Sequence, residues 1–141
     1  MIVLDTNVLS ELMRRRPAAR VVRWVDDQDA GALAITAVTV AELLYGVARL
    51  AAGARKATLA AAVDALVRED FSGRVLPFDV VAAARYAELI AGRERDGRPI
   101  SVSDGQIAAI CRCHGAALAT RNVRDFDATG IAVLDPWNGA R

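Results

Sequence analysis

Asp5, Glu42, Asp104 and Asp125 lie in four separate stretches of the chain, each beside an apolar run or a turn. Two carboxylates ~4 Å apart repel by about 4 kcal/mol at an effective dielectric of ~20. Four brought together cannot all stay ionised without relief. Protonation, pairing with Arg, or a metal ion each relieves that strain. Of the metals, Mg²⁺ favours hard oxygen ligands and keeps several of its waters. Held that way it activates water as a nucleophile and steadies phosphoryl oxygens, which makes hydrolysis the chemistry such a cluster would serve. No other residue set competes. His114 is the single histidine, so a Ser-His-Asp system would depend entirely on it. Cys111-Arg112-Cys113-His114 offers at most three soft ligands, and residues two apart on a helix point away from one another.

Each acid also has a plainer reading. Asp5 can cap the helix that follows it. Glu42 falls on a thin polar stripe with Thr39, Gly46 and Arg49, as on a solvated face. Ser101-Val102-Ser103-Asp104 fits a capping box. Asp125 is one loop acid beside Arg124. The combination, and not any one member, carries the functional reading.

The elements that must position these acids follow from the apolar pattern. Met1–Leu4 reads as a buried strand with β-branched Ile2 and Val3. Asp5-Thr6-Asn7 offers capping side chains for a helix over Val8–Arg15, which Pro17 interrupts, and a second helix runs over Ala18–Asp27. Leu33–Ile35 reads as a strand, and Thr36 or Thr39 as the cap of a helix to about Ala52. Gly53 separates it from an Ala-rich helix over Arg55–Asp70, completing a helical hairpin. Val75–Leu76 is a third strand, and Asp79 caps a helix to about Arg95. After the Asp96-Gly97-Arg98-Pro99 turn, Ser101 starts a helix to about His114 that Gly115 ends. Ala117–Ala119 and Ile131–Leu134 are the last two strands. Short apolar strands alternating with helices imply an α/β fold, a parallel sheet of about five strands covered on both faces. Ligands of such sheets bind outside the carboxyl ends of the strands. Asp5 follows strand one, Glu42 lies early in the helix after strand two, Asp104 starts the helix that feeds strand four, and Asp125 lies in the loop after it. All four can therefore reach one rim.

The bulk properties fit. The chain has 141 residues, suited to one domain, and is 54% hydrophobic with only 5% aromatics. Net charge is +1, which by itself says little about partners. Lys56 is the only lysine, so nearly all positive charge is Arg, whose planar fork suits phosphate. Two cysteines two apart in an apolar helical run argue against a disulfide framework and for a reducing, cytoplasmic setting. No basic leader precedes the first apolar run, and the most apolar stretch, Ala32–Ala41, stops at Glu42, short of the ~20 residues that span a bilayer. No membrane role is expected.

Taken in order, the motifs resemble those of PIN-domain proteins, and most closely the VapC and FitB-like toxins of bacterial toxin–antitoxin pairs. Ile2-Val3-Leu4-Asp5-Thr6-Asn7-Val8-Leu9-Ser10-Glu11 resembles that family's first strand and helix. Thr39-Val40-Ala41-Glu42-Leu43 is similar to its glutamate segment, and Asp104-Gly105-Gln106-Ile107-Ala108-Ala109 to its central acidic motif. Ala119-Thr120-Arg121-Asn122-Val123-Arg124-Asp125-Phe126 is similar to its final motif, and Asp135-Pro136-Trp137 to the ending of many members. The resemblance runs almost end to end.

It implies a single PIN domain over 1–141, an α/β/α sandwich, acting as a toxin: an endoribonuclease dependent on Mg²⁺ or Mn²⁺. It implies that Asp5, Glu42 and Asp104 shape the metal site; Asp5 and Asp104 are expected as direct ligands, with Glu42 and Asp125 assisting directly or through water. Some relatives place an acid where this chain has Asn122, and others use the position of Asp125. Asn122 carries no charge, so Asp125 is the expected fourth acid, with Asn122 orienting water. Thr6, Asn7 and Thr120 are expected to position Asp5 or the phosphate, and Arg121, with Arg124 and Arg14–Arg16, to contact RNA phosphate. Arg93, Arg95 and Arg98 read as solvated helix ends and turns, and Trp24 as core or interface. The implied partners are RNA, a cognate antitoxin covering grooves near the first helices and the Gly46–Asp70 hairpin, a second copy of the chain, and operator DNA only through the antitoxin. A competing reading makes the chain an assembly scaffold of an operator-binding complex with little nuclease activity. A receiver domain has similar length and alternation, but needs a lysine late in the chain, and Lys56 lies inside a predicted helix.

Overall fold

β1 (Ile2–Leu4) lies at the centre of a parallel sheet, paired with β2 (Leu33–Thr36) on one side and β4 (Ala117–Ala119) on the other. The computed structural model describes residues 1–139. The full strand order is β3-β2-β1-β4-β5, with β3 at Val75–Leu76 and β5 at Val133–Leu134. Every pairing is parallel. Successive strand residues point to opposite faces, and both faces are apolar here. Leu4, Leu33 and Ile35 pack on one side with helices α1 (Thr6–Leu12), α2 (Ala19–Asp26), α3 (Ala37–Ala48) and α4 (Ala54–Ala65). Val3, Ala34 and Leu118 pack on the other with α5 (Val80–Arg95) and α6 (Val102–His114). Trp24 belongs to the first of these cores, as expected.

α6 comes close to its neighbours because its inner face is small: Gly105, Ala108 and Ala109 are buried. A Cβ on Gly105 would stand 2.8 Å from Ile90 Cδ1 and 3.0 Å from Tyr86 Cε1 on α5. Gly105→Val should therefore overpack the α5–α6 contact and cost about 2–3 kcal/mol. A drop in the urea midpoint at unchanged m would show it; an unchanged midpoint would contradict this close approach.

Several boundaries differ from the sequence expectation, each for a local reason. α1 begins at Thr6, before Val8, because the Asp5 carboxylate accepts from the Thr6 N–H at 2.8 Å. It also ends at Leu12, short of Arg15. There the chain folds back so that Glu11 Oε2 accepts from the Ala18 N–H at 2.9 Å, beside Pro17. Thr36, not Thr39, caps α3, accepting from the Thr39 N–H at 3.1 Å. α3 stops at Ala48, before Ala52, and Lys56 Nζ donates to the Ala48 and Leu50 carbonyls. The α4 segment reaches Asp70 as expected, but its last turn, Leu66–Asp70, widens to π geometry. β5 is limited to Val133–Leu134, which pair with Leu118 and Ala119 of β4. Arg93 is not solvated: it is buried, donating from Nε to the Arg98 carbonyl at 2.6 Å and from Nη1 to the Asp127 carbonyl. The Arg98–Pro99 turn thereby ties the end of α5 to the loop before β5.

Among the described residues no helix is long and apolar enough to cross a membrane. Cys111 and Cys113 are both free thiols.

Candidate active site

The strand order reverses beside β1: the chain builds outward to β2 and β3, then returns to lay β4 against β1's other edge. Crevices at such switch points bind ligands in parallel sheets. Asp5 sits at that point, its N–H donating to the Ala119 carbonyl at 2.9 Å across the β1–β4 junction. Oδ1 of Asp5 takes the Thr6 N–H, and Oδ2 takes the Thr120 hydroxyl at 2.7 Å. Asn7 ties the two loops together. Its Nδ2 donates to Thr120 Oγ1 at 3.2 Å, and its Oδ1 accepts from the Arg121 N–H at 3.2 Å. Thr120 Oγ1 also accepts from the Asn122 N–H at 3.1 Å.

Above Asp5 opens a cleft of about 470 Å³ lined by Asp5, Thr6, Asn7, Glu42, Asp104, Arg121 and Asn122, among others. Glu42 reaches it from the exposed side of α3. The Thr6 hydroxyl donates to Glu42 Oε1 at 2.6 Å and lies 3.1 Å from Thr39 Oγ1, so one threonine links two carboxylate-bearing segments. Asp104 reaches it from the first turn of α6, where Ser101 Oγ accepts from the Asp104 N–H at 3.2 Å. The same turn therefore carries the Ser101 cap and brings Asp104 to the cleft.

Asp125 stands apart. It lies on the exposed turn Val123–Phe126 and lines side clefts, one with Asp104, Ser101 and Arg93 and another with Arg121, Asn122 and Arg124. Asn122 lines the central cleft and Asp125 does not.

Burial and like charge act together on these acids. Asp5 is 4% exposed. Burial drives its carboxyl up to about 6, opposed by the hydrogen bonds from Thr120 and Thr6 and reinforced by the negative charges of Asp104 and Glu42. Burial also raises the Asp104 carboxyl, with the charges of Asp125 and Glu42 adding to it and the Ser101 contact opposing it. The acids thus feel one another. Among the described residues, however, no three His, Cys, Asp or Glu side chains close into a ligand cage. An open rim of carboxylates with room for water suits a hard cation that keeps part of its hydration shell, and every donor facing the cleft is oxygen or nitrogen.

Sequence reasoning missed two participants. Glu11 is buried on the cleft's wall, held by the Ala18 N–H and Arg14 Nη1. Its carboxyl is lowered, first by the Ala18 N–H and further by Arg14 and Arg121, against its burial. An acid between Leu9 and Leu12 just before an uncapped helix start was the available signal. Trp137 lines the cleft as well, with the Arg121 guanidinium 5.1 Å from its ring centroid. Arg14, counted only within a basic run, also faces this cleft.

Known proteins are similar to this chain in sequence and fold. The PIN domain profile matches residues 2–132. The VapC ribonuclease Y4jK of Sinorhizobium fredii is 42% identical over 140 residues, covering 99% of this chain and 100% of that protein. The toxin FitB of Neisseria gonorrhoeae is 41% identical over 98% of this chain and 99% of its own. A solved structure of FitAB bound to a DNA fragment, IR36, matches with a TM-score of 0.91 at 41% identity, covering 97% of this chain and 96% of that one. With the fold and the carboxylate-lined cleft at its switch point, these likenesses make the chain a member of the PIN domain family.

Proposed function

We propose that this protein is the toxin of a toxin–antitoxin pair and a divalent-metal-dependent endoribonuclease. The carrying observation is the cleft at the switch point, where Asp5, Glu42 and Asp104 face one space in a chain 42% identical to a VapC ribonuclease. Asp5 and Asp104 would hold the cation, Mg²⁺ or Mn²⁺, by their carboxylate oxygens. When bound, the cation supplies a Lewis acid and lowers the pKa of coordinated water. Glu42 keeps one oxygen on the Thr6 hydroxyl and offers the other to take a proton from the attacking water. Asp125 assists through Asp104, and Asn122 orients water in the cleft. Thr6, Asn7 and Thr120 hold Asp5 and the loop beside it. Arg121 and Arg14 meet phosphate, whose charge the acids alone would repel. Hydrolysis then adds hydroxide to phosphorus and returns a proton to the departing ribose oxygen.

The whole chain, 1–141, is read as one PIN domain, supported by two cores that share a single sheet. Two free thiols support action in the cytoplasm. A cognate antitoxin is the proposed partner, with a homodimer of this chain as the unit it binds.

Purified protein should cleave RNA with Mg²⁺ or Mn²⁺, stop on chelation, and resume when either ion is restored. Induction should arrest growth unless the antitoxin is co-expressed. Ion-independent cleavage would sink the mechanism; no cleavage of any cellular RNA would sink the activity.

The FitAB–DNA structure favours a second role beside the first, membership of an operator-bound complex. In that role the antitoxin makes the DNA contacts. A mobility shift of upstream DNA should need the antitoxin and be absent with this chain alone.

A further inference from the structure

Among the described residues Trp137 is the one large aromatic in the cleft lining, and the chain invests several contacts in fixing it there. Its N–H donates to Asp135 Oδ1 at 2.9 Å. Its carbonyl accepts from Arg20 Nη1 on α2 at 3.1 Å. An antiparallel bridge joins Asp135 to Gly139 around it. Pro136, immediately before, is buried. The segment lies next to the chain's end, yet its backbone is held from three directions. The ring is only partly buried: one part packs against the core on the α1–α2 side, while the rest lines the cleft. Trp24 is the contrast, a tryptophan sunk in that core at 7% exposure and absent from the cleft. A Trp needed only for packing has no reason to share a polar cleft with Asp5, Asp104 and Glu42.

The Arg121 guanidinium lies 5.1 Å from the Trp137 ring centroid. Arg121 is otherwise exposed, and its backbone N–H is tied to Asn7. Cation–π attraction holds its head group at this wall. The guanidinium over the ring gives this wall an aromatic, positively charged surface beside the carboxylates. Flat π faces bearing positive charge suit unpaired nucleobases, which stack on aromatic rings and Arg planes. The adjoining phosphate lies within the reach of the same guanidinium.

We propose that Trp137 and Arg121 form a nucleobase-stacking subsite for single-stranded RNA, seating the base next to the cleaved phosphate. Trp137 is a substrate-positioning residue, and the subsite selects unpaired over paired RNA, because a paired base cannot leave its stack to reach this wall. The inference rests on the ribonuclease reading and deepens it.

The test uses full-length Asp104→Asn protein, which binds without cutting, and two probes: a short single-stranded oligoribonucleotide of mixed sequence, and an abasic oligomer of the same length. Binding of the intact probe should quench tryptophan fluorescence, and should still do so when Trp24 is replaced by Phe. Trp137→Leu should weaken the intact probe about 10-fold, and Trp137→Phe should restore binding to within about 3-fold of the parent. The abasic probe should bind weakly and indifferently to the residue at 137. Equal binding of the two probes by the Trp137-bearing protein overturns the subsite, and that comparison stands even if Trp137→Leu fails to fold. In the cleaving parent, Trp137→Phe and Trp137→Leu should separate in KM more than in kcat. Metal-dependent cleavage whose KM ignores both changes rejects this subsite alone, whereas absent cleavage rejects the ribonuclease reading and the subsite with it.

Discussion

Asp104→Asn is expected to cut metal-dependent RNA cleavage at least ~10²-fold, with Asp5→Asn doing the same, while circular dichroism and antitoxin binding stay at parental levels. The size follows from removing a charge placed where the transition state needs a cation held; loss of one such electrostatic contribution typically costs 10²–10³ in rate. Asn preserves shape. At position 104 the cap is also preserved, because Ser101 accepts from the backbone N–H of residue 104 and not from its side chain. Asp125→Asn should cost only about 10-fold, the effect of an outer partner acting through another ligand, since Asp125 lies outside the central cleft. Kinetics of the three variants at saturating Mn²⁺ decide the ranking. A Asp125→Asn enzyme as dead as Asp104→Asn would promote Asp125 to direct ligand. Full activity in both Asp5→Asn and Asp104→Asn would remove the carboxylate mechanism altogether.

The second large effect is on stability, and its sign is opposite to what removing a buried polar contact would suggest. In the metal-free protein the Asp5 carboxyl is raised from 3.8 to about 6. The folded state therefore holds a proton there that the unfolded chain has released between about pH 4 and 6. Stability from this group is present below pH ~4 and is lost as pH rises through ~6, an amount of about 3 kcal/mol at 1.36 kcal/mol per pH unit. Asp104 works in the same direction, and Glu11, whose carboxyl is lowered, in the reverse one at lower pH. Asp5→Asn removes only the Asp5 contribution. It forfeits part of the contact with Thr120, worth about 1 kcal/mol, so the metal-free variant should be about 2 kcal/mol more stable than the parent at pH 7.5 and no more stable near pH 4. Urea melts in chelator at both pH values would read this directly. A divalent cation should close the gap at pH 7.5 by stabilising the parent and not the variant. A variant less stable than the parent at pH 7.5 would show that Asp5 is a structural cap first.

Much of this site was legible from residue types because its acids sit at strand ends and helix starts, positions that local pattern marks. Asp5 after β1 and Asp104 in the first turn of α6 needed only the alternation of apolar runs with capping residues. The clustered acids pointed to a hard cation, while the family resemblance supplied the RNA and the partner, which no spacing could. What stayed hidden depends on distant segments meeting. Trp137 lies in a segment held in part by Arg20, 117 residues earlier, which donates to its carbonyl. Buried Arg93 looked like a helix-end charge because its acceptor on Asp127 belongs to a loop 34 residues on. Glu11 was overlooked for a different reason: its partner, Ala18, is near, and an acid between Leu9 and Leu12 hinted at a buried role, but its use as acceptor for the next helix depends on the chain folding back at Pro17. The fold's outline survived intact, while the turn chemistry moved element ends by a few residues where Lys56 and Glu11 intervened.

Asn7 joins the loop after the first strand to the loop after the fourth, bonding Thr120 and Arg121 more than 110 residues away. For a chain made from its N-terminus onward, that bond is a clock. Asp5 leaves the ribosome 115 residues ahead of Thr120, so the wall it needs arrives later, with β4 and the segment up to Trp137. Nascent and prematurely terminated chains thus carry the acids without the cleft. Pairing the first strand with one so distant in sequence is also slow compared with closing a local contact. If the chain is made beside an antitoxin, as proposed above, topology sets an interval in which that partner can fold before the cleft exists.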